Sequence, residues 1–223
     1  MSGQLLKIKS INHVTHDVLR IVMEKPKDIH FNPGQAADIS INKEEWEKEI
    51  RPFTFTCLPA DNFLEFTIKT YPARNGVTNQ LLNLKPVDEL ILHEVFGSIL
   101  YKDEGVFIAG GAGVTPFISI LRELKAKNLI GENKLVFSNK TKSDIIYEDE
   151  FKNLLGKNFI NILSEETVEV YPHGHISEEF LKLHIDNFNK HFYVCGPPPM
   201  MDAVLKQLKD LGVLEDLIIT EQF

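Results

Sequence analysis

Residues 105–127 read GVFIAGGAGVTPFISILRELKAK. An apolar run rich in β-formers enters a glycine turn and leaves it as a segment of helical period. The same unit recurs three times downstream: KLVFS before YEDEFKNLL, NFINIL before SEEFLKLHI, and HFYVCG before PPMMDAVLKQLKDLG. DLIIT then closes the alternation. Strands that alternate with helices predict a five-stranded parallel sheet with helices on both faces and right-handed crossovers.

Upstream the rhythm differs. LLKIKSI, VLRIVMEK, QAADISIN, RPFTFTCL, FLEFTIKTY and ELILHEV carry partial period-2 alternation. Turn signals separate them at Asn32-Pro33-Gly34, Pro59-Ala60-Asp61-Asn62, Asn75-Gly76 and Lys85-Pro86. This spacing predicts a six-stranded antiparallel β-barrel, interrupted by one helix over VTNQLLNL. The polar stretch Tyr101-Lys102-Asp103-Glu104 sets the boundary. The expected architecture is two domains, a barrel over 1–102 and an α/β domain over 103–223.

The 223 residues, 43% hydrophobic and 25% charged, suffice for two modest cores. A formal charge of −8 argues against a nucleic-acid groove. No apolar run is long enough to span a membrane, and MSGQLLKIKS lacks a signal-like apolar stretch. Two cysteines are too few for a disulfide framework or an iron–sulfur cluster. A cytoplasmic protein without a metal is the expectation.

Phosphate-binding chemistry can be placed at several turns. In IAGGAGVTPF, residues 108–117, Gly110, Gly111 and Gly113 lead into a helix that starts near Thr115 and Pro116. Glycines admit a diphosphate to the backbone, and a helix N-terminus offers N–H donors to the anion. Pro116 suits a first turn, where its missing N–H costs nothing. The pattern is not G-x-G-x-x-G, and a tight turn without a ligand accounts for the glycines equally well. A second special strand end, YVCGPPPM at 193–200, holds Cys195, Gly196, Pro197 and Met200. Its thiol should face the crevice at the carboxyl edge of the sheet, although a buried cysteine is commonly just a small hydrophobe. In the first half, RPFTFTCLP at 51–59 opens with Arg51, whose planar fork can grip phosphate or form a surface ion pair. Phe53 and Phe55, alternating with Thr54 and Thr56, read as barrel core. Gly76, Val77 and Thr78 begin the interrupting helix, another anion site by the same physics.

Taken in order, these motifs resemble the ferredoxin–NADP reductase family in its compact form. RPFT is similar to that family's Arg-x-Tyr-Ser flavin motif, with FNPGQ at 31–35 before it. NGVTNQLL and FGS at 96–98 match flavin segments. GGAGVTP matches the nicotinamide diphosphate loop, SNKTKSDIIY at 138–147 the adenosine end, and VCGPPPMM the nicotinamide pocket. The resemblance implies bound FAD, in preference to FMN. Arg51 would hold the flavin diphosphate, Pro52 and Phe53 would lie at the isoalloxazine ring, and Thr54 would offer a hydroxyl near N5. Phe53 stands where the family has tyrosine and Thr54 where it has serine, so stacking and the hydroxyl survive while a phenolic hydrogen bond is lost. Lys69 and Tyr71 match positions along the ribityl and diphosphate region. Glu221 would sit near N5 and Phe223 over the flavin, where nicotinamide must stack.

The implied activity is hydride transfer from NADPH or NADH to FAD in a crevice between the lobes, then onward electron transfer. Thr54, Cys195 and Glu221 are the candidate catalytic residues, with Thr115 and Cys195 flanking the nicotinamide and Cys195 not a nucleophile. Ser138, Asn139 and Lys140, with Thr141 and Lys142 behind them, favour NADPH, because hydroxyls and ammonium groups suit a 2′-phosphate. The implied acceptor is a small carrier, ferredoxin or flavodoxin-like, or a small molecule. Lys7, Lys9, Lys25 and Lys27 are candidates for docking it. A reductase of free flavin or of an oxygenase system, or a flavin-bearing sensor without catalysis, are the alternatives.

Overall fold

A computed structural model describes residues 3–97 and 99–221. By contact the chain divides into two units. The first is Met1–Leu100 with Thr115–Glu123, and the second is Tyr101–Val114 with Leu124–Phe223. The assignment of 115–123 to the first unit is not visible in a linear boundary at 102.

Six strands build the first unit: β1 (Gln4–Thr15), β2 (Val18–Glu24), β3 (Ala36–Ile41), β4 (Arg51–Thr54), β5 (Phe63–Lys69) and β6 (Glu89–Phe96). They pair antiparallel in the order β4-β3-β6-β1-β2-β5. The two ends of that order meet just past β4. Phe55 bridges Phe66, and the Thr56 N–H donates to the Glu65 carbonyl at 2.9 Å, so the sheet curls into a barrel without a free edge there. Leu6, Ile8, Leu19, Ile21, Ile39, Phe55, Leu64 and Phe66 fill it. The helix expected over 77–84 is one α-turn, α1 (Val77–Gln80), followed by a 3-10 turn over Leu81–Asn83. Buried Val77, Leu81 and Leu84 pin it to the barrel core.

The second unit carries β7 (Gly105–Gly110), β8 (Lys134–Asn139), β9 (Phe159–Leu163), β10 (His191–Cys195) and β11 (Ile218–Thr220), all parallel, in the order β11-β10-β7-β8-β9. Helix α2 (Thr115–Ala126) follows β7; α3 (Glu148–Leu155), α4 (Glu178–His184) and α5 (Pro198–Asp210) follow β8, β9 and β10. On one face of the sheet Val106, Ile108, Val136, Ile162 and Val194 pack with Phe180 and Leu181 of α4 and Val204 and Leu208 of α5. On the other, Phe151 of α3 lies edge-on to Phe137 and tilted to Phe159. Ser177 caps α4 by accepting the Phe180 N–H, and Pro198 opens α5 where no N–H is missed.

Tyr193 fastens the entry to this unit. Its hydroxyl accepts the N–H groups of Lys102 and Asp103 at 2.9 and 3.0 Å and donates to the Asp103 carbonyl at 2.7 Å. Buried Asn133 accepts the Gly105 N–H at 2.9 Å. The chain runs from β7 outward to β8 and β9, then returns to the opposite side of β7 for β10 and β11. The order therefore reverses between β7 and β10, and ligands of open α/β sheets bind outside the carboxyl ends of such a pair.

Candidate cofactor sites

β4 carries RPFT with burial that deepens along the strand. Arg51 and Pro52 are exposed, Phe53 and Thr54 are half-buried, and Phe55 beyond them is fully buried. Phe53 rests on the barrel core with its ring tilted 6.5 Å from Phe66. Arg51 donates to the Ile50 carbonyl at 2.7 Å and pairs with Glu49 at 3.2 Å, both side chains 49% exposed. Such a pair is worth little, so the guanidinium can exchange it for a stronger anion. The Thr115 hydroxyl, at the start of α2, donates to the Thr54 hydroxyl at 3.4 Å. Gly76 precedes α1 with nothing within 4 Å of where a Cβ would project. Val77 acts there through its backbone, since its side chain is buried, and Thr78 is half-buried. An aromatic face, a hydroxyl, a lightly held guanidinium and an open glycine are a donor set that fits a flavin ring and its diphosphate.

Two neighbouring residues are committed elsewhere. Lys69 pairs with Asp17 at 2.8 Å, and Tyr71 is exposed with the Arg74 guanidinium 5.0 Å from its ring centre. Burial alone would raise the Asp17 carboxyl, yet Lys69 holds it below its ordinary value. Of the candidate docking lysines, Lys25 donates to the Pro59 and Asp61 carbonyls and lies over the Phe31 ring.

Sequence reading missed a charged cluster inside the barrel. Glu65 is 1% exposed. Its Oε1 accepts from Arg122 of α2 at 2.8 Å and from the Thr56 hydroxyl at 2.9 Å; its Oε2 accepts from Arg20 Nε and Nη2, each at 2.6 Å. Arg122 also donates to the Thr56 carbonyl at 2.7 Å, and Ser119, one turn earlier in α2, accepts the Gly34 N–H at 3.0 Å. Burial works to raise the Glu65 carboxyl, but Arg122 and Arg20 hold it below its ordinary value. The signal available in the sequence was a glutamate interrupting the apolar strand FLEFTIK. Nearby Cys57 accepts the Glu65 N–H at 3.2 Å, and burial pushes its thiol up to about 12, so it is unreactive at neutral pH.

The glycine turn after β7 has three separate physical reasons. Gly111 holds φ +51° with open space where a side chain would project. A Cβ on Gly110 would fall 2.3 Å from Met200 Sδ and 3.0 Å from Pro197 Cδ, and one on Gly113 would fall 2.3 Å from the Cys195 carbonyl oxygen. Gly110, Gly113, Cys195, Gly196, Pro197 and Met200 therefore converge at the reversal between β7 and β10, with Thr115 and Pro116 leading into α2. Cys195 is 8% exposed, and its thiol donates to Glu221 Oε2 at 3.7 Å. Burial, then Glu221, raises the thiol well above its ordinary value. Burial also raises the Glu221 carboxyl, with the Cys195 hydrogen bond opposing it. Phe223, and Ser98 of the FGS segment, lie outside the described residues.

Gly110 pairs with Ser138 across β7 and β8, so the segment 138–147 leaves the same sheet edge as the glycine turn. The Asn139 side chain is buried, and its amide oxygen and nitrogen have no partner among the described residues; Asn161 on β9 is the same. Buried amides of this kind require a ligand group or water. An open glycine turn at the reversal point and an orphaned amide one strand away fit a dinucleotide.

Comparison with known proteins agrees with both units. Residues 4–94 match the FAD-binding domain model, and residues 107–206 match the oxidoreductase NAD-binding domain model. The chain therefore joins an FAD-binding domain to an oxidoreductase NAD-binding domain, the pairing of a flavoprotein reductase. The fold is that of a ferredoxin NADP+ reductase from Neisseria gonorrhoeae, solved with FAD and NADP, at TM-score 0.84 and 19% identity over 99% of this chain and 98% of that one. The reductase component of propane 2-monooxygenase from Mycolicibacterium goodii is 30% identical over 236 residues, covering 97% of this chain and 66% of that protein. The same component from Rhodococcus jostii (strain RHA1) is 28% identical over 233 residues, covering 97% and 62%. The chain spans 62–66% of the length of these curated relatives. In this reductase-like chain the barrel unit is the FAD-binding domain and the parallel-sheet unit carries the NAD-binding domain. Among the described residues no helix is long and apolar enough to cross a membrane.

Proposed function

We propose that this chain accepts hydride from a reduced nicotinamide dinucleotide onto bound FAD and passes the electrons to a separate partner protein. The observation that carries the reading is the 3.4 Å contact between the Thr54 and Thr115 hydroxyls. It joins the end of the flavin motif to the start of the helix that follows the dinucleotide turn. FAD, when bound, supplies the step from a two-electron donor to one-electron acceptors. The protein supplies position. Arg51 and the backbone of Gly76, Val77 and Thr78 would hold the diphosphate, with Pro52 at the mouth of that strand. The Phe53 ring would bear on the isoalloxazine, and Thr54 would present its hydroxyl to it. Gly110, Gly111, Gly113, Thr115 and Pro116 would receive the dinucleotide diphosphate. Cys195, Gly196, Pro197 and Met200 would shape the nicotinamide pocket. Glu221, whose carboxyl burial raises, would lie beside Cys195 and accept from its thiol. The name of the Mycolicibacterium relative, a reductase component of a monooxygenase, favours an oxygenase or its carrier protein as the acceptor over free flavin.

Titrating flavin-free protein with FAD tests the first half of this reading. Flavin fluorescence should quench on binding, and Arg51→Ala should raise the Kd about tenfold or more, the worth of a charge-assisted phosphate contact. An unchanged Kd would remove Arg51 from the site.

A further inference from the structure

The loop after β8 bears on which nicotinamide dinucleotide the site takes. Its hydroxyls and lysines point to a 2′-phosphate in the sequence, but in the folded chain carboxylates engage the Lys140 ammonium, Thr141 and the Lys142 N–H. The β8–β9 ladder runs on past β9: the Ser164 N–H donates to the Asn139 carbonyl and the Glu165 N–H to the Lys140 carbonyl, each at 2.9 Å. This brings Glu165 and Glu166 alongside the loop. The Lys140 ammonium pairs with Glu165 at 2.8 Å. The Lys142 N–H donates to Glu166 Oε2 at 2.6 Å. Asp144 Oδ2 accepts both the N–H and the hydroxyl of Thr141, at 2.9 and 2.7 Å, and that hydroxyl shares a hydrogen bond with Ser143 at 2.9 Å.

Glu166 and Glu148 line a hollow of about 580 Å³ with Thr141, Lys142 and Ser143. The size suits a nucleoside. Glu148 is itself held by Lys152 and by the Tyr171 hydroxyl. Around the hollow, the carboxylates of Asp144, Glu148, Glu165 and Glu166 outnumber the ammonium groups of Lys140, Lys142 and Lys152 that lie among them. A 2′-phosphate would bring roughly two further negative charges beside Glu148 and Glu166, where the Thr141 N–H and hydroxyl already donate to Asp144 and the Lys142 N–H to Glu166. A ribose diol brings O–H donors, which carboxylates accept.

We infer that the chain selects NADH over NADPH, with Glu166 as the residue that discriminates by accepting from the ribose and repelling a 2′-phosphate. The inference rests on the dinucleotide reading of this domain, and its test separates the two. ADP-ribose and its 2′-phosphate carry the adenosine end alone and need no flavin. Titrated calorimetrically into the whole protein, ADP-ribose should bind at least about tenfold tighter, the scale of one unscreened like-charge contact. Equal binding, tighter binding of the 2′-phosphate, or no binding of either would overturn the inference. Glu166→Gln keeps an acceptor for the Lys142 N–H but removes the charge, and it should narrow the preference several-fold by tightening the 2′-phosphate. An unchanged ratio would remove Glu166 as the determinant. In anaerobic assays of flavin-loaded protein, the ratio of kcat/KM should favour NADH to a similar degree. Equal reduction by both coenzymes would sink the selectivity and leave the proposed function standing. Reduction by neither, with ADP-ribose still bound selectively, would sink the function and leave the selectivity.

Discussion

Glu65→Ala should lower the unfolding free energy by about 3–5 kcal/mol, the cost of breaking an ion-pair cluster centred on a buried carboxylate. Both Arg122, 21% exposed, and Arg20, 35% exposed, converge on this one carboxylate, so a single truncation strands two cations. Urea midpoints of the variant and the parent measure the effect. Leu or Met at positions 20, 65 and 122 together should recover much of the loss, because an apolar cluster of similar volume escapes the desolvation cost. The cluster also sets an acid limit. The Glu65 carboxyl is held below its ordinary 4.5 in the folded chain. Its contribution is therefore present in full above the unfolded value and is lost as pH falls through the folded one. Below about pH 4.5 the parent should lose stability more steeply than Glu65→Gln. Identical pH slopes, or a loss for Glu65→Ala under about 1 kcal/mol, would show that the arginines are solvated rather than held.

Gly113→Ala should slow reduction of the bound flavin by NADH on the order of 100-fold, the cost of displacing a positioned group by an ångström. The added Cβ would fall 2.3 Å from the Cys195 carbonyl oxygen, and backbone cannot yield as a flexible side chain can. The turn and the Cys195-Gly196 segment must separate, which moves both walls of the proposed nicotinamide pocket. Gly111→Ala is the informative contrast. Its Cβ meets open space, so its penalty is the strain of φ +51° and not a clash. Stopped-flow absorbance gives the rates, and the FAD content of each purified variant shows whether the barrel is intact. Full FAD occupancy with a rate within about twofold of the parent in Gly113→Ala would take the turn out of the reaction.

The fold was legible because its strands and helices follow their own periods. GVFIAG, KLVFS, NFINIL and HFYVC are mostly apolar, as strands buried on both faces must be, and each is followed by a helix with one apolar stripe. The barrel strands alternate less cleanly, yet Pro and Gly mark their turns. The glycine turn was visible as a turn, but the separate reasons for its three glycines were not. Those of Gly110 and Gly113 depend on Met200 and Cys195, more than 80 residues away in sequence and brought close by the β7–β10 pairing. The partners of Glu65 were invisible for the same reason, since Arg20 and Arg122 lie 45 and 57 residues from it. Lys140 and Lys142 carry partners that the sequence does not show: the Lys140 ammonium pairs with Glu165 and the Lys142 N–H donates to Glu166, both brought alongside by the extended β8–β9 ladder.

Anaerobic mixing of the FAD-loaded protein with NADH, followed in the visible spectrum, tests the central claim most directly. The account expects the flavin band to bleach within the mixing experiment and to return when an electron acceptor is admitted. A fully loaded protein whose spectrum stays oxidised under excess NADH and excess NADPH alike would contradict it.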